Sequence, residues 1–254
     1  MCNSNATNTD KSINEQIKEL FDEIFNDEFK KNNELEGQFI EYDGCVKEER
    51  YKEQNFKIAF LLKEVNAEDS KGNGSLVQWL GSLKTKYEEN SWEKTWLNVC
   101  YWCEILKNLN ANFTDAYKKE KKMLLENLYD IAIVNIKKTN GKGSSDYQEL
   151  EDAIRLYGDA TIKEIEELIQ PRLVICCSKD VYYLIQNKIN VENKINVESK
   201  PLDCGTEYFV EKGIYYLKFV HPAWYSVNDN ILFAYAKVAF GEIINVIKQN
   251  TCND

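Results

Sequence analysis

The sequence predicts a three-layer α/β/α fold built on a central, mainly parallel, four-stranded sheet. Three observations lead to this prediction: four β-rich runs that are apolar throughout, helical patterns between them, and a length of 254 residues, which suits one large α/β domain. Continuously apolar runs are typical of strands that a parallel sheet buries on both faces. The four runs are residues 57–62, 130–136, 173–177 and 214–220.

The N-terminal part of the chain carries one clear helical pattern. Apolar residues recur at helical spacing across 11–31, which predicts an amphipathic helix, and a short strand is possible at 38–42. We therefore expect a single domain over 1–254. Residues 1–55 would form an N-terminal helical extension and residues 56–250 the α/β core.

Helical patterns also separate and follow the predicted strands. They span about 75–88, 91–109, 115–128, 148–168, 180–188 and 229–249. The hexapeptide NKINVE occurs twice in succession, at 187–192 and 193–198. Because two short copies cannot make a solenoid, the repeat predicts a loop or irregular hairpin lengthened by duplication.

Composition and charge limit the classes of protein to consider. Hydrophobic residues make up 43% of the chain, which supplies a core, and the net charge of −10 disfavours broad, non-specific binding to nucleic acid while leaving a local basic groove possible. The first ten residues are polar, and no apolar run approaches the roughly 20 residues that span a bilayer. We expect a cytoplasmic protein.

The eight cysteines are expected to be reduced thiols, since no secretory signal is predicted. Cys100 and Cys103 form a C-x-x-C pair inside an aromatic, helical stretch. The remaining cysteines give no second pair at a recognisable spacing, which favours buried thiols over a zinc or iron–sulfur site. No metal or organic cofactor is expected.

Residues suited to chemistry follow three of the predicted strands. In open parallel sheets, ligands bind outside the carboxyl ends of the strands. Glu64 and Asn66 follow the first strand, Asn135 lies at the end of the second, and His221, the one histidine of the chain, follows the fourth. A carboxylate can orient water, a carboxamide can bind a heterocycle edge, and an imidazole can donate to a developing anion.

The order of these motifs, LLKEVN, AIVN and HPAWYS, resembles the uracil-DNA glycosylase superfamily, over residues 57–249. The resemblance implies that Glu64 orients the attacking water, Asn135 binds the base, and His221 donates to the departing base. It also implies that Tyr225 wedges into the duplex and that Ser226 contacts a phosphate.

Further contacts are inferred from neighbouring residues. Asn66 could contribute to base binding, and Trp79 could stack on the base or else pack in the core of its helix. The segment KKTNGKGSS, which begins with Lys137 and Lys138, could contact the DNA backbone or be an ordinary solvated turn. It lacks the spacing of a phosphate-binding loop of nucleoside triphosphatases.

The motifs depart from the family pattern at two places. Lys63-Glu64-Val65 replaces a triple that ends in Asp-Pro or Asn-Pro in many members, and Trp224 with Tyr225 replaces Pro-Leu. The sequence therefore predicts a monomeric DNA glycosylase that acts on a flipped uracil or another modified base, in DNA repair or in defence against phage with modified DNA. The alternative is a catalytically altered protein of the same fold that binds a nucleobase or nucleic acid. A third alternative, an unrelated α/β hydrolase or transferase, is disfavoured because the sequence contains no G-x-S-x-G or G-x-G-x-x-G motif.

Overall fold

The computed structural model describes residues 11–32, 35, 38–66, 72–86, 94–141, 146–224 and 226–251. Its strands are β1 (Glu41–Tyr42), β2 (Gly44–Cys45), β3 (Ile58–Asn66), β4 (Gly74–Ser75), β5 (Ala132–Gly141), β6 (Leu173–Cys176), β7 (Lys200–Pro201), β8 (Glu207–Glu211) and β9 (Ile214–Lys218). Its helices are α1 (Ile13–Ile24), α2 (Asp27–Asn32), α3 (Glu48–Lys52), α4 (Leu76–Lys86), α5 (Lys94–Lys107), α6 (Phe113–Lys118), α7 (Lys121–Leu125), α8 (Tyr147–Lys163), α9 (Lys179–Asn193) and α10 (Asp229–Thr251). A 3-10 helix over Glu126–Asp130 follows α7, and a π-helix over Glu164–Ile169 follows α8.

The main sheet has the strand order β2-β5-β3-β6-β9-β8-β7 among the described residues. β5, β3, β6 and β9 pair in parallel, whereas β2, β8 and β7 add antiparallel edges. The prediction of an α/β fold with parallel strands is confirmed, but the sheet has seven strands rather than four. β8 was missed because its sequence, EYFVE, is short and charged at both ends.

Helices cover both faces of the sheet. Alternate residues of β3 point to opposite sides, as a strand requires. Phe60 packs in a hydrophobic cluster with residues of α4, α5, α7 and α10, and Leu61 packs in a second cluster with residues of α1, α8 and α9. Burial on both faces explains why the parallel strands are apolar throughout.

The N-terminal segment belongs to this core. Ser12 and Glu15 form a capping box that begins α1, and α1 buries Ile17 and Phe21 in the second cluster. β2 pairs with β5 and closes one edge of the sheet. The segment predicted to be an extension thus supplies an edge strand and part of one helical layer.

The two NKINVE copies have different structures. The first copy lies in the last turns of α9. The second copy begins at Asn193, the last residue of that helix, and is largely irregular. The expectation of a loop is therefore wrong for the first copy. Ile189 of the first copy is fully buried, whereas its counterpart Ile195 is exposed, so packing against the sheet determines which copy is helical.

Helix α10 is long and apolar. It has 23 residues and a window with a mean hydropathy of 1.4, so by length and composition it could cross a membrane, contrary to the expectation that no apolar run approaches that length. Core helices of soluble proteins meet the same criterion. Here the helix buries Phe233, Phe240 and Ile243 in the first cluster.

We expect Phe60→Ala to lower the free energy of unfolding by about 3–5 kcal/mol, because it leaves a cavity in the middle of the sheet. Phe60 is fully buried and stacks on Trp102 with ring centroids 6.2 Å apart. Urea denaturation followed by circular dichroism measures the change. Val238→Ala, at an exposed position of α10, is the control and should change stability by less than about 0.5 kcal/mol. Equal losses in both variants would contradict the packing described here.

Candidate active site

The predicted site residues lie at the carboxyl edge of the parallel strands. Leu62 of β3 is opposite Asn135 of β5, and Glu64 is opposite Lys137, so Glu64 and Asn135 occupy neighbouring strands. His221 follows β9, which β6 separates from β3. The structure therefore places Glu64 near the end of β3, Asn135 inside the neighbouring β5, which continues to Gly141, and His221 after β9, two strands from β3.

Asn135 is fully buried and held by a residue that the sequence did not indicate. Its backbone N–H donates to Oδ2 of Asp43 at 2.5 Å, and its side-chain Nδ2 donates to the same oxygen at 3.2 Å. Its side-chain Oδ1 is buried without a hydrogen-bond partner among the described residues. Asp43 thereby fixes the Asn135 side chain through its Nδ2 group, while Oδ1 of Asn135 makes no hydrogen bond to a described residue.

Glu64 is bound to Lys137 in a close-packed setting. The Lys137 ammonium lies 3.0 Å from Oε2 of Glu64, whose side chain is 5% exposed, and 2.7 Å from Glu149. Burial lowers the pKa of Lys137, but its hydrogen bonds to Glu149 and Glu64 outweigh burial and the net shift is upward. Oε1 of Glu64 is buried and unpartnered among the described residues. Gly141 permits this packing, because a Cβ there would lie 2.0 Å from Oε2 of Glu64.

His221 is oriented by its own loop. Its Nδ1 accepts a hydrogen bond from the Ala223 backbone N–H at 3.1 Å, so the neutral ring carries its proton on Nε2. Burial and the charge of Lys63 lower the pKa of His221 and favour that neutral form. The ring is therefore arranged as a neutral hydrogen-bond donor.

Lys138 cannot contact DNA in this structure, which corrects the sequence expectation. Its side chain is fully buried, and its ammonium pairs with Asp43 at 2.7 Å and with Glu164 at 2.5 Å. Burial lowers the pKa of Lys138, but attraction to Asp43 and Glu164 produces a net upward shift. The reason is that β5 extends to Gly141, so Lys138 lies within the sheet, where its ammonium is 4.6 Å from the ring centroid of Phe21 in α1.

The remaining predicted residues lie around the same edge or outside the described structure. Trp79 is 44% exposed and its ring contacts Trp96, so Trp79 is not a core residue. Ser226 is exposed. Asn66 is the last residue of β3, and nothing is described of its side chain. Tyr225 lies outside the described residues, as do 67–71, 87–93 and 142–145, which include parts of two predicted helices and of the KKTNGKGSS segment.

Five described cysteines are buried free thiols, as expected, whereas Cys204 is half-buried. Cys100 and Cys103 are buried in α5, and burial raises the pKa of Cys103 to about 12. In the described part of the chain, no group of three or more histidine, cysteine, aspartate or glutamate side chains is placed to hold a metal ion.

Two cavities are formed by described residues. One, of about 530 Å³, lies beside β5 and α8 and is lined by Lys137, Thr139, Glu149 and Tyr157 among others. The other, of about 560 Å³, lies at the opposite edge of the sheet and includes Lys57 and Arg172. Asn135, Glu64 and His221 line neither of these two cavities.

Comparison with known proteins identifies no relative. No protein-family model matches this chain, and no curated protein matches its sequence.

We expect Lys138→Met to lower the free energy of unfolding by about 3–5 kcal/mol, because it leaves two buried carboxyl groups without their cation. Lys18→Met is the control, since it breaks an exposed ion pair with Asp22 and should cost no more than about 1 kcal/mol. Chemical denaturation measures both variants. A Lys138 variant as stable as the Lys18 variant would show that the buried ion pairs contribute nothing.

The His221 ring predicts a pH dependence of stability. Because folding lowers its pKa, the unfolded chain binds more protons below the ordinary histidine pKa of about 6.5. The stability that His221 contributes is complete above that pH and is lost as the pH falls through the folded pKa. We expect His221→Gln to lose stability less steeply below about pH 6.5 than the wild type. Melting temperatures from pH 8 downward, taken as differences between the two proteins, measure this, and identical slopes would exclude the effect.

Proposed function

We propose that this chain is a DNA glycosylase with a uracil-DNA glycosylase-like fold, which hydrolyses the N-glycosidic bond of a flipped uracil or another modified base. The observation that carries the proposal is a pair of buried acceptors, Oδ1 of Asn135 and Oε1 of Glu64, which lie on the neighbouring strands β5 and β3 and have no hydrogen-bond partner among the described residues. Buried polar atoms are nearly always hydrogen-bonded, so such a pair at a strand edge favours a binding site.

The order of the strands supports the proposal at the level of the fold. The motifs LLKEVN and AIVN lie on β3 and β5, which pair in parallel at the middle of the sheet. HPAWYS follows β9, which runs in the same direction. LLKEVN and HPAWYS thus lie at the carboxyl ends of their strands, where open parallel sheets bind ligands, whereas AIVN forms the first four residues of β5.

Asn135 would bind the base. Asp43 takes one of its Nδ2 hydrogens, which leaves one N–H donor and the Oδ1 acceptor for a ligand. This pair complements a pyrimidine edge in which a carbonyl lies next to a ring N–H, as in uracil. Because Asn135 is closed to solvent here, base binding requires a local rearrangement around this residue of β5.

Glu64 and His221 would act on the two sides of the bond. The free Oε1 of Glu64 can accept a hydrogen bond from the attacking water, while Lys137 holds the other oxygen. Nε2–H of His221 can donate to the base oxygen as negative charge develops on it. A neutral donor suits this role. The lowered pKa of His221 and its hydrogen bond from Ala223 both favour the neutral ring with its proton on Nε2.

The contacts with DNA follow from the resemblance, and two of the residues involved, Trp79 and Ser226, are exposed. Trp79 would stack on a base, Tyr225 would fill the space that the flipped nucleotide leaves, and Ser226 would contact a phosphate. Lys137, engaged with two carboxylates, is better placed to fix Glu64 than to reach a phosphate. We propose a cytoplasmic monomer that serves repair or defence against phage with modified DNA.

A binding protein without turnover is the second candidate. The Glu64–Lys137 ion pair favours it, because a carboxylate held by an ammonium is a weaker base toward water. The net charge of −10 also disfavours strong contacts with a DNA backbone.

We expect the wild-type protein to create alkali-labile abasic sites in DNA that contains one of uracil, hypoxanthine, hydroxymethylcytosine or a glucosylated base. His221→Ala should lower the single-turnover rate by about 100-fold or more, the usual effect of removing a donor to a developing anion. Asn135→Ala should abolish selection among the bases.

Lys122→Gln, an exposed change on α7, is the control and should leave the rate unchanged. Both single-stranded and duplex substrates are needed. Binding of a modified base without cleavage by the wild type would favour the binding protein, and neither binding nor cleavage would reject both candidates.

A further inference from the structure

A basic cavity lies at the amino edge of the sheet, opposite the candidate active site. It has a volume of about 560 Å³, in the range of small-molecule sites. Its wall includes the segments that precede β3, β6 and β9. The charged residues in the wall are Lys52, Lys57, Glu166, Arg172 and Lys212.

The charge of this wall contrasts with that of the chain. Four cations face one carboxylate in a protein whose net charge is −10. Lys52 pairs with Glu48 and Lys212 pairs with Glu166. Lys57 and Arg172 have no ion-pair partner among the residues that the structure describes. The cavity therefore carries uncompensated positive charge.

The backbones of Lys57 and Arg172 are held side by side. The Arg172 backbone N–H donates to the Lys57 carbonyl oxygen at 2.8 Å, which fixes the entrances of β3 and β6 next to each other. The Lys57 ammonium lies 5.7 Å from the ring centroid of Tyr51, and the Arg172 guanidinium lies 5.3 Å from that of Tyr215. Both cations thus rest on aromatic rings rather than on carboxylates.

The Arg172 guanidinium is further oriented by two hydrogen bonds. Nη1 donates to the Gly213 carbonyl oxygen at 3.0 Å and Nη2 donates to Oγ1 of Thr251 at 3.1 Å. Lys212 and Gly213, both with positive φ, form the tight turn between β8 and β9 that presents this carbonyl. A guanidinium has five N–H donors, so several remain for a ligand.

We propose that this cavity binds a small phosphate monoester of about nucleotide size. Lys57 and Arg172 line the same cavity, ammonium and guanidinium groups both bind phosphate oxygens, and the concave wall suits a compact ligand. Glu166 adds a feature for the rest of the ligand, because its Oε1 is buried without a partner among the described residues and can accept from a hydroxyl group. The site does not depend on the proposed glycosylase function.

Isothermal titration calorimetry with AMP, ribose 5-phosphate, inorganic phosphate and adenosine tests the proposal. We expect both esters to bind, inorganic phosphate to bind more weakly, and adenosine not to bind. Lys57→Gln and Arg172→Gln should each weaken ester binding by about tenfold or more, since each removes a charge-assisted contact. Lys57→Gln breaks no hydrogen bond seen in the structure, so it remains informative if the Arg172 variant is unstable.

Two further variants serve as controls. The double variant Lys121→Gln, Lys122→Gln removes two exposed cations of α7 and should leave binding unchanged. His221→Ala should also bind normally, which separates this cavity from the candidate active site. Absence of ester binding by the wild type would overturn the proposal. Ester binding by the Lys57 and Arg172 variants as tight as that by the wild type would overturn it too. So would binding of a short oligonucleotide that AMP does not displace.

Discussion

The buried ammonium of Lys138 connects the parts of the molecule on which the candidate site depends. It lies between Asp43, from the N-terminal segment, and Glu164, from the π-helix after α8. A buried charge is costly unless it is paired, so these elements must fold together. Burial and the nearby Asp43 raise the pKa of Glu164 well above its ordinary value. Asp43, fixed in this way, then holds Asn135.

The two edges of the same sheet carry opposite chemistry. At the carboxyl edge, oxygens of Asn135 and Glu64 have no hydrogen-bond partner among the described residues, and His221 follows a strand two positions from β3. At the amino edge, Lys57 and Arg172 present positive charge in a cavity. Because all four central strands run in the same direction, the residues that follow the strands lie at one edge of the sheet and the residues that precede them lie at the other. The parallel arrangement thus separates a site suited to a heterocycle from one suited to an anion.

The candidate site was predictable only in part. Glu64, Asn135 and His221 could be placed because each follows an apolar run, and the ends of parallel strands meet at one edge. Asp43 could not be found, since an Asp-Gly pair in the sequence indicates only a turn. The burial of Lys138 was missed for a related reason: β5 extends beyond its apolar run, so a lysine expected in a loop lies in a strand and is covered by α1 and the π-helix after α8.

The sequence by itself determined the α/β class, the four parallel strands and the approximate helices, because hydrophobic periodicity records burial directly. Only the tertiary structure decided the edges of the sheet, the inclusion of the N-terminal segment and the fate of the NKINVE repeat. Both copies have the same local propensities, yet the first is helical and the second is largely irregular. Ile189 reaches the core and Ile195 does not, and a short helix is stable only when tertiary packing supports it.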